Sequence, residues 1–193
     1  MCIRDRKNDS VYGRTNYYVL KMFSENRPDV NLHTDLKPAS PEPVFRTNGF
    51  IGLGTNNTEA QFKDLKVIVN GEEIYTSGWS DFVDKWTIIR GDWKMEGNLL
   101  SQSQKGIDAL AILEDREFDD CTIELKAKKI SGTEGFRIVF GGTDSNNYFM
   151  ADIGSHTNES VIFREVNNEG SISLFDYRNT ASIKTDQWYT VRI

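Results

Sequence analysis

The chain has 193 residues, 38% of them hydrophobic, which is enough for one ordinary domain with a real core and part of another. Its formal net charge of −6 comes from 29 acidic and 23 basic residues without long runs, so it offers no basic face to nucleic acid or anionic lipid. No apolar stretch approaches the roughly 20 residues that span a bilayer, and the N-terminus lacks the apolar run of a signal peptide.

Residues 1–6, MCIRDR, resemble a translated sequencing adaptor of the kind found at the start of many metagenomic reading frames, and they are set aside as an artefact. On that reading Met1 is not a native start. Residues 16–32, NYYVLKMFSENRPDVNL, read as one short helix. Tyr17, Leu20 and Ser24 share a face that Val19, Met22 and Phe23 continue, so apolar side chains cover more than half of the circumference. Such a helix needs neighbours on more than one side. Asn16 is its N-cap and Pro28 its stop. TDLKPASPEPVFRT then holds three of the four prolines and predicts an extended connector over residues 34–46.

From residue 47 onward the pattern is β. In AQFKDLKVIVNGEEIY, Leu65, Val67 and Val69 alternate with Lys66 and Ile68, and Asn70-Gly71 supplies the two positive-φ residues of a type I′ hairpin turn. WTIIRGDWKMEGNLLSQS predicts strands broken at Gly91 and Gly97, and ALAILED another. In DDCTIELKAKKI, Cys121, Ile123, Leu125 and Ala127 alternate with Thr122, Glu124, Lys126 and Lys128. Further strands follow in GFRIVFGG, NYFMADIG, SVIFREVN, SISLFDYR and WYTVRI, with turns at GTDSNN, SHTNE and NNEG. Ten or so short strands with no helix between them predict an all-β sandwich of jelly-roll type over residues 47–193, cut within its last strand.

Few motifs suggest chemistry. A glycosidase needs two carboxyl groups about 5 to 9.5 Å apart in a cleft, whereas Glu72 and Glu73, Glu114 and Asp115, and Asp119 and Asp120 are turn neighbours that read as solvated surface. No catalytic pair is assigned. His33 and His156 sit in a linker and a turn without a nucleophile beside them. GFIGLG lacks the GxGxxG spacing and precedes a strand, so it is not a phosphate loop. Two cysteines, Cys2 and Cys121, are too few for a disulfide scaffold and lack metal-ligand spacing. Cys121 reads as a small strand residue. Asp144, Asn146 and Asn147 carry calcium-type oxygens but lack the rest of an EF-hand loop, so they read as a hairpin turn; no metal or cofactor is implied, and structural calcium has no support. The sequons at Asn56 and Asn158 matter only in a cell that glycosylates. Among the aromatic residues, Trp93 and Trp188 stand beside alternating apolar positions and read as core, while Tyr148 and Tyr177 divide evenly between core and surface.

YYVLKMFSENRPD resembles the last barrel helix of glycoside hydrolase family 51 α-L-arabinofuranosidases, which closes the catalytic barrel before the chain enters a β-sandwich. GFIGLGTNNTEAQFKDLKV, GDWKMEGNLLSQS, GFRIVFGGTDSNNYFMADIG and WYTVRI resemble the concanavalin-like, laminin-G-like sandwiches attached to many bacterial glycan-degrading enzymes. The resemblance implies that residues 7–33 are the terminal helix of a missing catalytic barrel, whose packing on both sides accounts for their all-round hydrophobicity. It implies a parent α-L-arabinofuranosidase, extracellular or periplasmic, acting on arabinose-containing plant polysaccharides. The catalytic glutamates of such an enzyme lie upstream, so none is carried over. Residues 1–40 are expected to make few contacts with the sandwich. Concanavalin-like hydrolases carry an E-x-D-x-x-E cluster that DDCTIELK lacks.

A carbohydrate-binding face is expected on strands GFRIVFGG, NYFMADIG and SVIFREVN. If their apolar sets face the core, Arg137, Tyr148, Asp152 and Arg164 share the open face, as one stacking ring and three groups that bond hydroxyls. The competing expectation is a structural or protein-interaction sandwich whose Arg and Asp residues merely pair across strands.

Overall fold

Residues 48–77, 79–178 and 182–193 are described by the computed structural model, all within a unit spanning Phe45–Ile193. The adaptor-like residues 1–6, the helix expected in 7–33 and the connector at 34–46 lie outside these residues.

Thirteen strands occur among the described residues. The first seven are β1 (Gly49–Asn56), β2 (Thr58–Val69), β3 (Glu72–Ser77), β4 (Trp86–Arg90), β5 (Trp93–Glu96), β6 (Leu99–Gln102) and β7 (Asp108–Phe118). The others are β8 (Cys121–Gly132), β9 (Phe136–Asp144), β10 (Asn147–Gly154), β11 (Ser160–Asn167), β12 (Gly170–Arg178) and β13 (Trp188–Arg192). Single helical turns interrupt them at α1 (Phe82–Lys85) and α2 (Ser155–Asn158), where strands and turns alone are expected. α2 carries left-handed φ at His156 and Thr157, so it is a tight turn in the SHTNE segment rather than a regular helix.

All strand pairing is antiparallel, in two sheets. One has seven strands in the order β12-β11-β10-β9-β1-β7-β4; the other has six, with β13-β8-β2-β6-β5 in line and β3 beside β2. The expected all-β sandwich is what forms. Its core lies between the sheets, where Phe62 of β2 stacks on Trp93 of β5 at 6.0 Å between ring centres and meets Phe136 of β9 edge-on at 6.4 Å. Trp93 spends its indole N–H on the Arg90 carbonyl at 2.9 Å, so this large ring is buried without an orphaned donor. A second aromatic group, Trp79, Phe82 and Trp86, closes the core around α1.

Asn70 and Gly71 take the positive φ values, 51° and 83°, that the two-residue turn between β2 and β3 demands. Strict alternation along β2 fails at one place. Ala60, Phe62, Leu65 and Val67 all face the core although three positions separate Phe62 from Leu65. A bulge with Asp64 at φ 55° shifts the register against β8 between Lys63 and Lys66, inserting the extra residue that restores the buried face.

The alternation of β8 carries one charge inward. Lys129 follows Ile123, Leu125 and Ala127 on the core side and is only 4% exposed. Burial pushes its ammonium pKa below the ordinary lysine value, against the pull of Glu134. With the folded pKa below the unfolded one, the charged form costs stability at neutral pH, and the cost disappears as pH rises past the unfolded value near 10.4. Lys129→Met is therefore expected to raise the melting temperature at pH 7 by about 2–4 °C, the equivalent of roughly 1 kcal/mol. The gain should shrink in melts at pH 10.5.

Candidate functional site

Strands β9, β10 and β11 lie side by side, and their alternation turns Phe136, Ile138, Ala151 and Phe163 to the inner face. Arg137, Tyr148, Asp152 and Arg164 consequently share the outer face of the seven-stranded sheet. The ladders set Asp152 directly opposite Arg137 and place Arg164 one step diagonally away on β11.

These three charges meet at one oxygen. Asp152 Oδ2 receives Arg137 Nη2 at 3.1 Å and the Ser155 hydroxyl at 3.2 Å, and lies 3.5 Å from Arg164 Nε. Arg137 also reaches Asp108 on β7, with Nη1 2.6 Å from Oδ1, and Arg164 Nη1 donates to the Ser173 hydroxyl at 3.0 Å. To reach β7 the Arg137 side chain must cross β1, which lies between β9 and β7. Gly54 of β1 is paired with Arg137 and presents no side chain there; a Cβ would fall 2.7 Å from the Ala109 carbonyl oxygen.

The electrostatics follow from burial. The Asp152 side chain is 2% exposed and Arg137 12%. Burial works against the Arg137 charge, but the carboxylates of Asp152 and Asp108 outweigh it and raise the guanidinium pKa above its ordinary value. Two guanidiniums and two carboxylates leave the cluster neutral. Arg137 Nε and Arg164 Nε are nevertheless buried without a hydrogen-bond partner.

Tyr148 departs from expectation. It shares the face but is 9% exposed, packed with Phe50, Val139 and Met150 in an apolar cluster that Leu110 and Ile112 complete. Phe50 lies over Gly142, where a Cβ would come within 2.3 Å of its ring. The expected open face is thus closed at Tyr148 and Asp152, and no stacking ring stands free beside the charges. The outer face holds a second core because Val139, Met150 and Ile162 sit between the polar positions. Asp108 and Ser155 complete the charged cluster without having been singled out from sequence. Nothing local marks them, since Asp108 lies 29 residues from Arg137 and meets it only across two strand boundaries.

Other expectations divide. Trp93 is core as expected. Trp188 is not, because Tyr189 and Val191 take the inward positions of β13 and turn Trp188 outward, where Lys63 Nζ and Lys128 Nζ lie 4.3 and 5.0 Å from its ring centre. Asp144 accepts from the Asn146 backbone N–H and the Asn147 amide, which hold its carboxyl below the usual range and form the hairpin turn between β9 and β10. Among the described residues no group of three or more His, Cys, Asp or Glu side chains is placed to hold a metal ion. No described helix is long and apolar enough to cross a membrane.

No family model matches the chain, and no solved structure matches it. A curated relative does: an extracellular exo-α-L-arabinofuranosidase of Streptomyces chartreusis, 25% identical over 189 residues. This chain is similar to part of an arabinofuranosidase. The likeness covers 96% of the chain, so it takes in residues before Asn48 as well as the sandwich, yet the chain spans only 22% of the relative's length.

Asp152→Asn keeps the shape of the site and removes the charge that two guanidiniums share. Urea unfolding should record a loss of about 3 kcal/mol, the scale for breaking a buried pair. Asp108→Asn, at a carboxylate whose side chain is 57% exposed, should cost under about 1 kcal/mol in the same experiment.

Proposed function

We propose that this chain is a non-catalytic accessory region of an α-L-arabinofuranosidase acting on arabinose-containing polysaccharides outside the cell, joined to a catalytic barrel in the same polypeptide. The observation that carries the reading is the arabinofuranosidase likeness, which runs along nearly the whole chain but occupies about a fifth of the relative. The strand content agrees with a laminin-G-like or concanavalin-like sandwich in that position, and no pair of carboxylates in this chain is assigned to hydrolysis.

Within that role, the geometry best supports a structural function for the outer face of the seven-stranded sheet. Asp152 spends its charge on Arg137 and Arg164, and Tyr148 is committed to an apolar cluster, so neither is available as the open-face contact that sugar recognition needs. A second reading, carbohydrate contact at Arg137, Tyr148, Asp152 and Arg164, draws on the Nε–H groups of Arg137 and Arg164, neither of which has a hydrogen-bond partner.

Titration of the chain with arabinan and arabinoxylan oligosaccharides, followed through backbone amide shifts, separates the two. The structural reading expects no clustered shifts at millimolar sugar. Shifts centred on these four residues and weakened by Arg164→Ala would establish the carbohydrate reading instead. The isolated chain is expected to release no arabinose from an aryl arabinofuranoside; measurable release would overturn the accessory assignment.

A further inference from the structure

The outer face of the six-stranded sheet carries Lys63 and Lys66 on β2, Lys94 on β5, and Lys126 and Lys128 on β8. Most of these ammonium groups meet a carboxylate. Lys66 lies 2.7 Å from Glu73, Lys94 3.4 Å from Glu96 and Lys126 2.9 Å from Asp64. Lys63 and Lys128 have no carboxylate partner among the described residues, and they hold their ammonium groups 4.3 and 5.0 Å from the centre of the Trp188 ring. Two like charges thus converge on one indole.

Strand register builds this arrangement. Trp188 of β13 stands opposite Lys128 of β8 and Lys128 opposite Gln61 of β2, while Thr190, Lys126 and Lys63 form the next row on the same face. The indole therefore reaches across β8 to the Lys63 ammonium. Polar groups flank it: the Gln61 amide makes only a long bond of 3.4 Å to the Ser101 hydroxyl, and Thr190 is exposed. Trp188 is itself partly exposed, whereas Trp79, Trp86 and Trp93 are at most 7% exposed.

We propose that Trp188, Lys63 and Lys128 form a binding site for a uronic acid residue of a glycan chain. The C–H face of the sugar ring packs on the indole, its carboxylate lies between the two ammonium groups, and Gln61 and Thr190 bond its hydroxyls. Ring and charge are needed together. A neutral sugar leaves the two ammonium groups without a counter-charge, in a chain of net charge −6 that pairs the neighbouring lysines of this face. An inorganic anion leaves the indole uncovered. A nucleic acid strand brings its run of phosphates against Glu59, Asp64 and Glu124 of the same face, and an acidic peptide offers carboxylates without a flat C–H surface for the ring. That the anion is carried by a sugar rests on the accessory reading proposed above; the preference for an anion does not.

The test titrates the 193-residue chain with an oligogalacturonate, the methyl ester of the same oligosaccharide, a neutral arabinan oligosaccharide and an oligoglutamate peptide, following tryptophan fluorescence and the Trp188 indole N–H resonance. The acid should bind with a Kd of about 1 mM or below and move the indole resonance, and its affinity should fall several-fold on added salt. The ester and the arabinan should bind at least about tenfold more weakly. Lys63→Met with Lys128→Met keeps the aliphatic stems and should weaken binding of the acid by about tenfold. Lys66→Met with Lys94→Met removes the same charge from paired positions and should change it by less than about twofold. Equal affinity for acid and ester, an unaffected Lys63 and Lys128 variant, or no response to the acid at about 10 mM would overturn the proposal. Tighter binding of the peptide than of the acid would also overturn it and make this face a protein contact. None of these outcomes bears on the accessory assignment, which the arabinose-release assay tests separately.

Discussion

The sandwich depends on burying the inner faces of two antiparallel sheets against each other. Phe62, Trp93 and Phe136 bridge the gap between the sheets, and the strands around them are positioned by the need to keep one face apolar. Aromatic rings dominate because each removes a large apolar area from water at the cost of few rotatable bonds. The bulge at Asp64 shows the strength of the constraint: the backbone adopts a left-handed residue so that Phe62 and Leu65 can both face inward.

The outer face of the seven-stranded sheet has a different logic. It combines an apolar cluster around Phe50, Val139, Tyr148 and Met150 with a neutral ion cluster around Asp152. A buried carboxylate is tolerable only when donors surround it, and here two guanidiniums and a hydroxyl do so. Both guanidiniums are anchored elsewhere too, Arg137 by Asp108 and Arg164 by Ser173, so the cluster holds β7, β9, β10, β11 and β12 in register. Arrangements of this kind specify a structure more than they stabilise it. That is in keeping with the structural role proposed for this face.

Coverage of the inner face of the seven-stranded sheet is uneven: Ile51, Leu53, Ala111 and Leu113 on β1 and β7 are fully buried, whereas apolar residues of β12 are about half exposed. Ile172 and Phe175, brought to the same inner face by the register shift between Phe163 and Arg164, are among the more exposed apolar residues of the sandwich.

Local patterns were enough to predict much of this. The strands, the Asn70-Gly71 turn, the breaks at Gly91 and Gly97 and the side to which Arg137, Tyr148, Asp152 and Arg164 point all follow from period-2 alternation and turn chemistry, which are properties of a few consecutive residues. The arabinofuranosidase resemblance was legible in the same way, from short quoted stretches. Tertiary structure alone decided what those side chains meet. Trp188 reads like a core residue until the register of β13 turns it outward, and Tyr148 is divided between core and surface until Phe50 and Met150 close over it. Asp108 joins the charged cluster only because β9, β1 and β7 are neighbours and Gly54 leaves the way clear. Alternation sets which face a residue occupies, but strand order, register and the width of the opposing sheet set whether that face meets water, a partner or a gap, and those are relations between segments far apart in the chain.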